Sequence, residues 1–216
     1  MSTDEISRST IERLPLYKKT MEELLASGRT HVSSDEIAER LHLSDAQIRK
    51  DLSYFGTFGV RGKGYEIQSL VDEIAEILGT DEVCRCVLVG VGHLGQALLS
   101  YEGFQEYNFK IEAGFDVDPD KIGRTIGGTP IHDSEDLGAY LSEHSIQMGI
   151  LAVPADAGPA MLDELIDNGI RGILNFAPFV PEPPEDVIVE SVDLSTNLEV
   201  LTFLMNNETN STTESD

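Results

Sequence analysis

The chain has 216 residues, 40% of them hydrophobic and 25% charged, the profile of a soluble globular protein with room for two modest domains. No apolar run approaches the roughly 20 residues a membrane span needs, and the polar start Met1–Thr10 lacks the apolar stretch of a signal peptide, so a cytoplasmic site of action with no membrane partner is expected. The net charge of −24 is uneven: residues 1–80 hold 10 Lys/Arg against 14 Asp/Glu (net −4), and residues 81–216 hold 5 against 25 (net −20), so the two parts are electrostatically different and the second presents a solvated acidic surface.

In chain order, Ile11, Leu14, Leu16, Tyr17, Met21, Leu24 and Leu25 recur at helical spacing, and Gly28 closes the run. Ser33 to Glu36 supply cap chemistry for a short helix through Leu41. His42 and His31 read as surface or capping residues. Ser44 then caps a third helix to about Tyr54. Gly56, Gly59, Gly62 and Gly64 punctuate the next stretch of chain, with Arg61 and Lys63 between them. Three short helices and a glycine-punctuated basic hairpin predict a winged helix over residues 1–80, closed by a helix Ile67–Leu78 and a linker at Gly79, Thr80 and Asp81.

The third helix is the candidate recognition helix. With Ile48 and Leu52 turned to the core, the DNA-facing set is Ser44, Ala46, Gln47, Arg49, Lys50, Ser53 and Tyr54. Arg reads guanine edges and Gln reads adenine edges in the major groove, while Lys50 and Ser53 suit phosphates. Arg61, Lys63 and Gly64 form the wing, placed to enter a minor groove or touch the backbone. The competing reading is a solvated polar helix face.

From Val83 the pattern changes to alternating strands and helices: strands at Val83–Val89, Ile111–Phe115, Gly149–Val153, Gly172–Asn175 and Val187–Val192, helices at Leu94–Leu99, Asp136–His144 and Ala157–Asn168. Alternation with near-continuous apolar strands predicts an α/β domain, a doubly wound parallel sheet, over residues 81–193. Cys84 and Cys86 alternate on the first strand and read as buried thiols, and no further metal-ligand set accompanies them. An amphipathic helix, Leu194–Met205, and a polar tail over 206–216, expected to be disordered, complete the chain.

Gly90-Val91-Gly92-His93-Leu94-Gly95 is G-x-G-x-x-G, placed after a strand and at the start of a helix, which makes this a Rossmann dinucleotide fingerprint. Asp116 ends the second strand, 21 residues after Gly95; a carboxylate there accepts both ribose hydroxyls and repels a 2′-phosphate, favouring NADH or NAD over the phosphorylated forms. Val117 comes directly after it. Val153 with Pro154, and Asn175, Phe176, Ala177 and Pro178, end later strands at the rim where a nicotinamide sits. A different adenine ligand, coenzyme A or FAD, is the rival.

The stretches Ile48-Arg49-Lys50-Asp51-Leu52-Ser53-Tyr54-Phe55-Gly56, Val60-Arg61-Gly62-Lys63-Gly64-Tyr65, Phe115-Asp116-Val117-Asp118-Pro119 and Gly172-Ile173-Leu174-Asn175-Phe176-Ala177-Pro178 closely resemble the Rex family of redox-sensing repressors, and the similarity runs from about Arg13 to about Phe203. The resemblance implies a homodimer on a palindromic operator, with the C-terminal helix (194–205) exchanged between subunits and packed by the partner's winged helix. It also implies that NADH closes the Rossmann domains and swings the winged helices out of register with the operator, while NAD competes without releasing DNA well. Tyr101 and Asp193 match positions implicated in the redox switch. Lys19 stands where the family usually has an Arg, and His93 where it often has Asn or Arg.

Two other classes compete with that reading. An NAD-dependent oxidoreductase needs a proton donor, but His132 and His144 sit in no recognisable catalytic frame and no nucleophile–base pair is evident, so no enzyme is expected. A coenzyme-A-binding domain fused to a helical interaction module predicts no operator binding.

Overall fold

The computed structural model describes residues 6–56, 58, 59 and 63–211, the last five as backbone only. The chain divides into two compact units, Met1–Glu82 and Val83–Asp216.

The first unit is built on α1 (Arg8–Ala26), which starts where the Ser7 hydroxyl accepts the Thr10 N–H. Leu14, Tyr17, Met21 and Leu24 line its buried stripe, whereas Ile11 and Leu16 are exposed. A short strand β1 (His31–Val32) precedes α2 (Ser34–Leu41), which starts on the Ser33 cap and stops at His42 in the left-handed conformation, φ 53°. Ser44 caps α3 (Asp45–Ser53), and Ile48 and Leu52 are buried as expected. β2 (Tyr65–Glu66) leads into α4 (Ile67–Leu78), whose Ile67, Leu70 and Ile74 close the core against α1.

Among the described residues β2 has no partner strand within the glycine stretch. It pairs antiparallel with β1, from between α1 and α2. Strands of two residues are too short for a period to show in the sequence. Gly59 and Gly64 lie close together: a Cβ on Gly59 would lie 2.8 Å from the Gly64 carbonyl oxygen. Gly64, at φ 78°, passes so close to the Val32 carbonyl that no side chain fits there. Arg61 and Gly62 of the expected wing lie outside the described residues.

The second unit is the expected doubly wound sheet. Its elements are β3 (Cys84–Val89), α5 (His93–Leu99), α6 (Gly103–Glu106), β4 (Phe109–Asp116), β5 (Thr125–Ile126), β6 (Thr129–Asp133), α7 (Leu137–Glu143), β7 (Met148–Leu151), α8 (Gly158–Asp167), β8 (Gly172–Asn175), β9 (Ile188–Ser191) and α9 (Leu194–Ser211). The strand order is β5-β6-β4-β3-β7-β8-β9, parallel throughout except for β5. Numbering the parallel strands in sequence gives 3-2-1-4-5-6, with the switch point between β3 and β7. β3 is buried on both faces: Val87 and Val89 pack with Leu137, Leu141, Leu162 and Leu165, and Cys84, Cys86 and Leu88 with Leu99 and Ile131. Burial pushes the Cys86 thiol up to about 12 and raises that of Cys84, so neither is a thiolate near neutrality.

The β5–β6 hairpin is an addition to the expected elements. Gly127 and Gly128 both have positive φ, the signature of a two-residue type I′ turn, and the Thr-Ile-Gly-Gly-Thr pattern carries that signal. α9 runs past Met205 to Ser211, so the helix takes in part of the stretch expected to be a disordered tail; residues 212–216 lie outside the described residues. Leu194, Leu198, Leu201 and Met205 form one apolar, exposed stripe along α9.

Candidate functional sites

The carboxyl ends of the central strands are tied into one line. Gly90 donates its N–H to Phe115, Ala152 to Val89, and Phe176 to Leu151. In that line the three motif glycines meet three different needs. Gly90 turns the chain at φ 96°, where a Cβ would lie 2.5 Å from the Ala152 carbonyl oxygen and 2.8 Å from Val153 Cγ1. Gly95 lets α5 cross directly over the Gly90 carbonyl, leaving no space for a side chain. Gly92 is different: a Cβ there meets nothing within 4 Å, and α5 begins at Gly92 without a side-chain cap. The backbone is bare and accessible at this point, as the approach of a pyrophosphate requires. His93 and Leu94 are exposed beside it.

Asp116, only 8% exposed, ends β4 next to this turn. Its Oδ2 accepts the Val91 N–H at 2.7 Å and the Lys121 ammonium at 3.1 Å; its Oδ1 accepts the Asp118 N–H at 2.9 Å. Burial pushes the carboxyl up, but the two backbone donors and Lys121 outweigh it and hold it below the usual carboxylate range. Lys121 also reaches Asp118 at 3.4 Å. Sequence reasoning missed this lysine, whose position five residues on carries no motif. Val117 is 78% exposed, Pro154 is exposed and Val153 half-buried.

On the other side of the switch point lies a cleft of about 590 Å³, lined by Leu94, the loop Asn175–Pro181 and the segment Ser191–Ser195. The structure thus brings Leu94, Asn175, Phe176, Ala177, Pro178 and Asp193 together. Asn175 is buried with its amide engaged: Oδ1 accepts the Ala177 N–H at 2.9 Å, while Nδ2 donates to the Ala177 carbonyl and to Ser191 Oγ, both at 3.2 Å. Its side chain shapes the loop, and the neighbouring backbone and side chains form the wall. Asp193 caps α9, accepting the N–H groups of Ser195 at 2.8 Å and Thr196 at 3.3 Å and the Thr196 hydroxyl at 2.9 Å. The Thr196 hydroxyl first, then these N–H groups, hold its carboxyl below the usual range.

In the first unit, Ala46, Arg49, Lys50 and Ser53 of α3 are exposed, as are Ser44 and Lys63, and Tyr54 is half-buried. Arg49 pairs with Asp45 one turn earlier and donates to Ser34 Oγ at 3.1 Å. The Ser53 hydroxyl donates to the Lys50 carbonyl. Gln47 is half-buried and turned along the helix, its Nε2 donating to Asp51 at 2.7 Å. Lys19 is exposed on α1.

Two family models match the chain: one described as "Putative DNA-binding protein N-terminus" over residues 5–53, and one as a CoA binding domain over residues 81–179. The redox-sensing transcriptional repressor Rex of Carboxydothermus hydrogenoformans is 45% identical over 92% of this chain and 96% of its own, and that of Lactobacillus acidophilus 39% identical over 96% and 99%. The chain belongs to the Rex family. A crystal structure of RSP, a Rex-family repressor, in complex with NAD+ and operator DNA superposes with a TM-score of 0.90 at 35% identity, covering 96% of both chains. RSP in complex with NADH superposes at 0.87, with 33% identity over 98% of this chain and 99% of that one. Membership of the Rex family points to a regulator rather than an enzyme.

Of the residues that resemblance to Rex assigned to a switch, Asp193 lies in the cleft. Tyr101 does not line it. It is 59% exposed just after α5 and stacks edge-on against Phe104 at 5.1 Å, beside the Gly127–Gly128 turn. Among the described residues no group of His, Cys, Asp and Glu is arranged to hold a metal, and no helix is long and apolar enough to cross a membrane.

Proposed function

We propose that this Rex-family chain is a homodimeric repressor that binds a palindromic operator through residues 1–80 and releases it when NADH occupies residues 81–193. The observation that carries the reading is the junction of Asp116 with the glycine turn. A carboxylate locked to Val91 stands beside the bare backbone of Gly92, and Leu94, two residues on, lines the cleft that Asp193 also lines. These residues fit a dinucleotide: Gly92 admits the pyrophosphate, Asp116 takes the adenosine ribose, and the loop Asn175–Pro178 walls the nicotinamide. A carboxylate offers about four acceptor positions, and three on Asp116 are filled. A ribose diol that takes two of them displaces Lys121, which keeps its hold on Asp118. That geometry favours a free diol over coenzyme A, whose ribose carries a phosphate.

The bound cofactor supplies a ring that is cationic when oxidised and neutral when reduced. Asp193, in the lining of the cleft, distinguishes the two by charge. The exposed apolar side chains of Leu194, Leu198 and Leu201 on one side of α9 support a dimer, because a second copy would take them out of water. A repressor of this kind acts on chromosomal DNA in the cytoplasm.

Fluorescence anisotropy of a labelled palindromic AT-rich duplex at low salt tests the reading. The protein binds the duplex, NADH releases it and NAD releases it poorly, while Arg49→Ala abolishes duplex binding and leaves NADH binding intact. No binding at low salt, where phosphate contacts are strongest, overturns it.

A further inference from the structure

We infer that Gln47 positions the recognition helix and does not read a base, through a buried hydrogen-bond node on Asp51 that fixes α3 upon α1. The inference rests on the reading of α3 as the recognition helix, and it removes from the base-reading set a residue that its position and chemistry would place there.

Asp51 has no exposed surface, yet it collects five donors. Arg13 of α1 forks onto it, Nε to Oδ2 at 2.6 Å and Nη2 to Oδ1 at 2.9 Å. The Tyr17 hydroxyl donates to Oδ2 at 2.6 Å and the Thr10 hydroxyl to Oδ1 at 3.3 Å. The fifth donor, Gln47 Nε2, comes from α3 itself, one turn before Asp51. Four donors therefore belong to α1 and one to the helix being held. The 2.7 Å distance is short for a neutral amide donor and fits a charge-assisted bond. An ionised carboxylate only accepts, so it also fixes which end of the Gln47 amide faces inward.

A buried carboxylate is retained only where its partners satisfy it, and each partner lost leaves charge uncompensated. To swing out to an adenine edge, Gln47 must give up its bond to Asp51 and weaken the node that sets the register of α3. Arg49, Lys50 and Ser53 project from the exposed side of the helix and depend on that register together. Loss of Gln47 therefore weakens all base contacts alike, whereas loss of a base reader relaxes one position.

The test is a selection from a randomised palindromic duplex library with the full-length wild type, followed by affinity measurements on the selected duplex and its single-base variants, for wild type, Gln47→Ala and Gln47→Met. Far-ultraviolet circular dichroism confirms that the variants are folded. The expected result is an affinity loss of roughly three- to tenfold, the same factor on every duplex, with the base preferences unchanged. Relaxed discrimination at one base pair overturns the inference, and so does unchanged affinity in a folded variant. Failure of the wild type to enrich any sequence overturns instead the reading of α3 as a recognition helix, and this inference with it.

Discussion

Asp116 accepts the backbone N–H of Val91 across 2.7 Å, so the carboxylate that ends β4 and the glycine turn after β3 form one hydrogen-bonded unit. The strands beneath are parallel neighbours in register, Val89 beside Phe115, and the carboxylate bridges the loops directly above that pair. A group that touches the ribose is thereby tied to the backbone that meets the pyrophosphate.

Asp116→Ala removes the ribose acceptor and leaves the N–H groups of Val91 and Asp118 without their partner. NADH affinity falls at least about tenfold by calorimetry, and duplex binding without cofactor is retained. Unchanged NADH affinity would show that the adenosine lies elsewhere.

The motif glycines separate folding from binding. Gly92→Ala meets open space at φ −71°, so the urea midpoint stays within error of wild type while NADH binding weakens at least about tenfold, the added methyl standing where the pyrophosphate must approach. Gly95→Ala drives a methyl into the Gly90 carbonyl and costs about 3 kcal/mol of stability in the same urea experiment. Equal effects of the two substitutions on stability would contradict the geometry.

Much of this is legible from the chain because buried strands and amphipathic helices carry their period. Val83–Val89, Gly172–Asn175 and Ile67–Leu78 agree with the observed elements to within a residue, and the glycine motif falls at the turn it predicts. What stays hidden depends on contacts distant in sequence. Gln47 has the chemistry of an adenine reader, and only the approach of Arg13 and Tyr17 to Asp51 shows how it is held. Asn175 has the position of a ligand contact because it ends a strand at the rim, but its amide closes a loop onto Ala177 and Ser191. The pairing of β1 with β2 joins residues more than 30 positions apart through strands too short to register.

Asp51 makes the first unit sensitive to acid. Burial raises its carboxyl, but Arg13, Tyr17 and Gln47 together outweigh burial and hold it below the usual range. A carboxyl depressed in the folded state contributes fully above its unfolded value of about 4, and that contribution disappears as pH falls through the lower folded value. Asp51→Asn therefore costs about 3 kcal/mol in urea unfolding at pH 7, and the gap to wild type narrows as pH falls below the unfolded carboxyl value of about 4. A gap independent of pH would mean that Asp51 is held by its shape and not by its charge.

Asp193 serves two purposes that one substitution separates. Its carboxylate caps α9 through Ser195 and Thr196, and it lies in the cleft that suits a nicotinamide. Asn caps a helix about as well as Asp, so Asp193→Asn preserves the start of α9 while removing the charge. Without that charge the cationic oxidised ring loses an attraction that the neutral reduced ring never had. NAD affinity drops roughly fivefold relative to NADH at low salt, and the difference shrinks as salt screens an exposed group. NADH binding is retained, and NADH-driven release of the duplex, tracked by anisotropy, is blunted. Normal release and an unchanged NAD-to-NADH ratio in Asp193→Asn, with Asp193→Ala impaired, would confine the residue to its capping role.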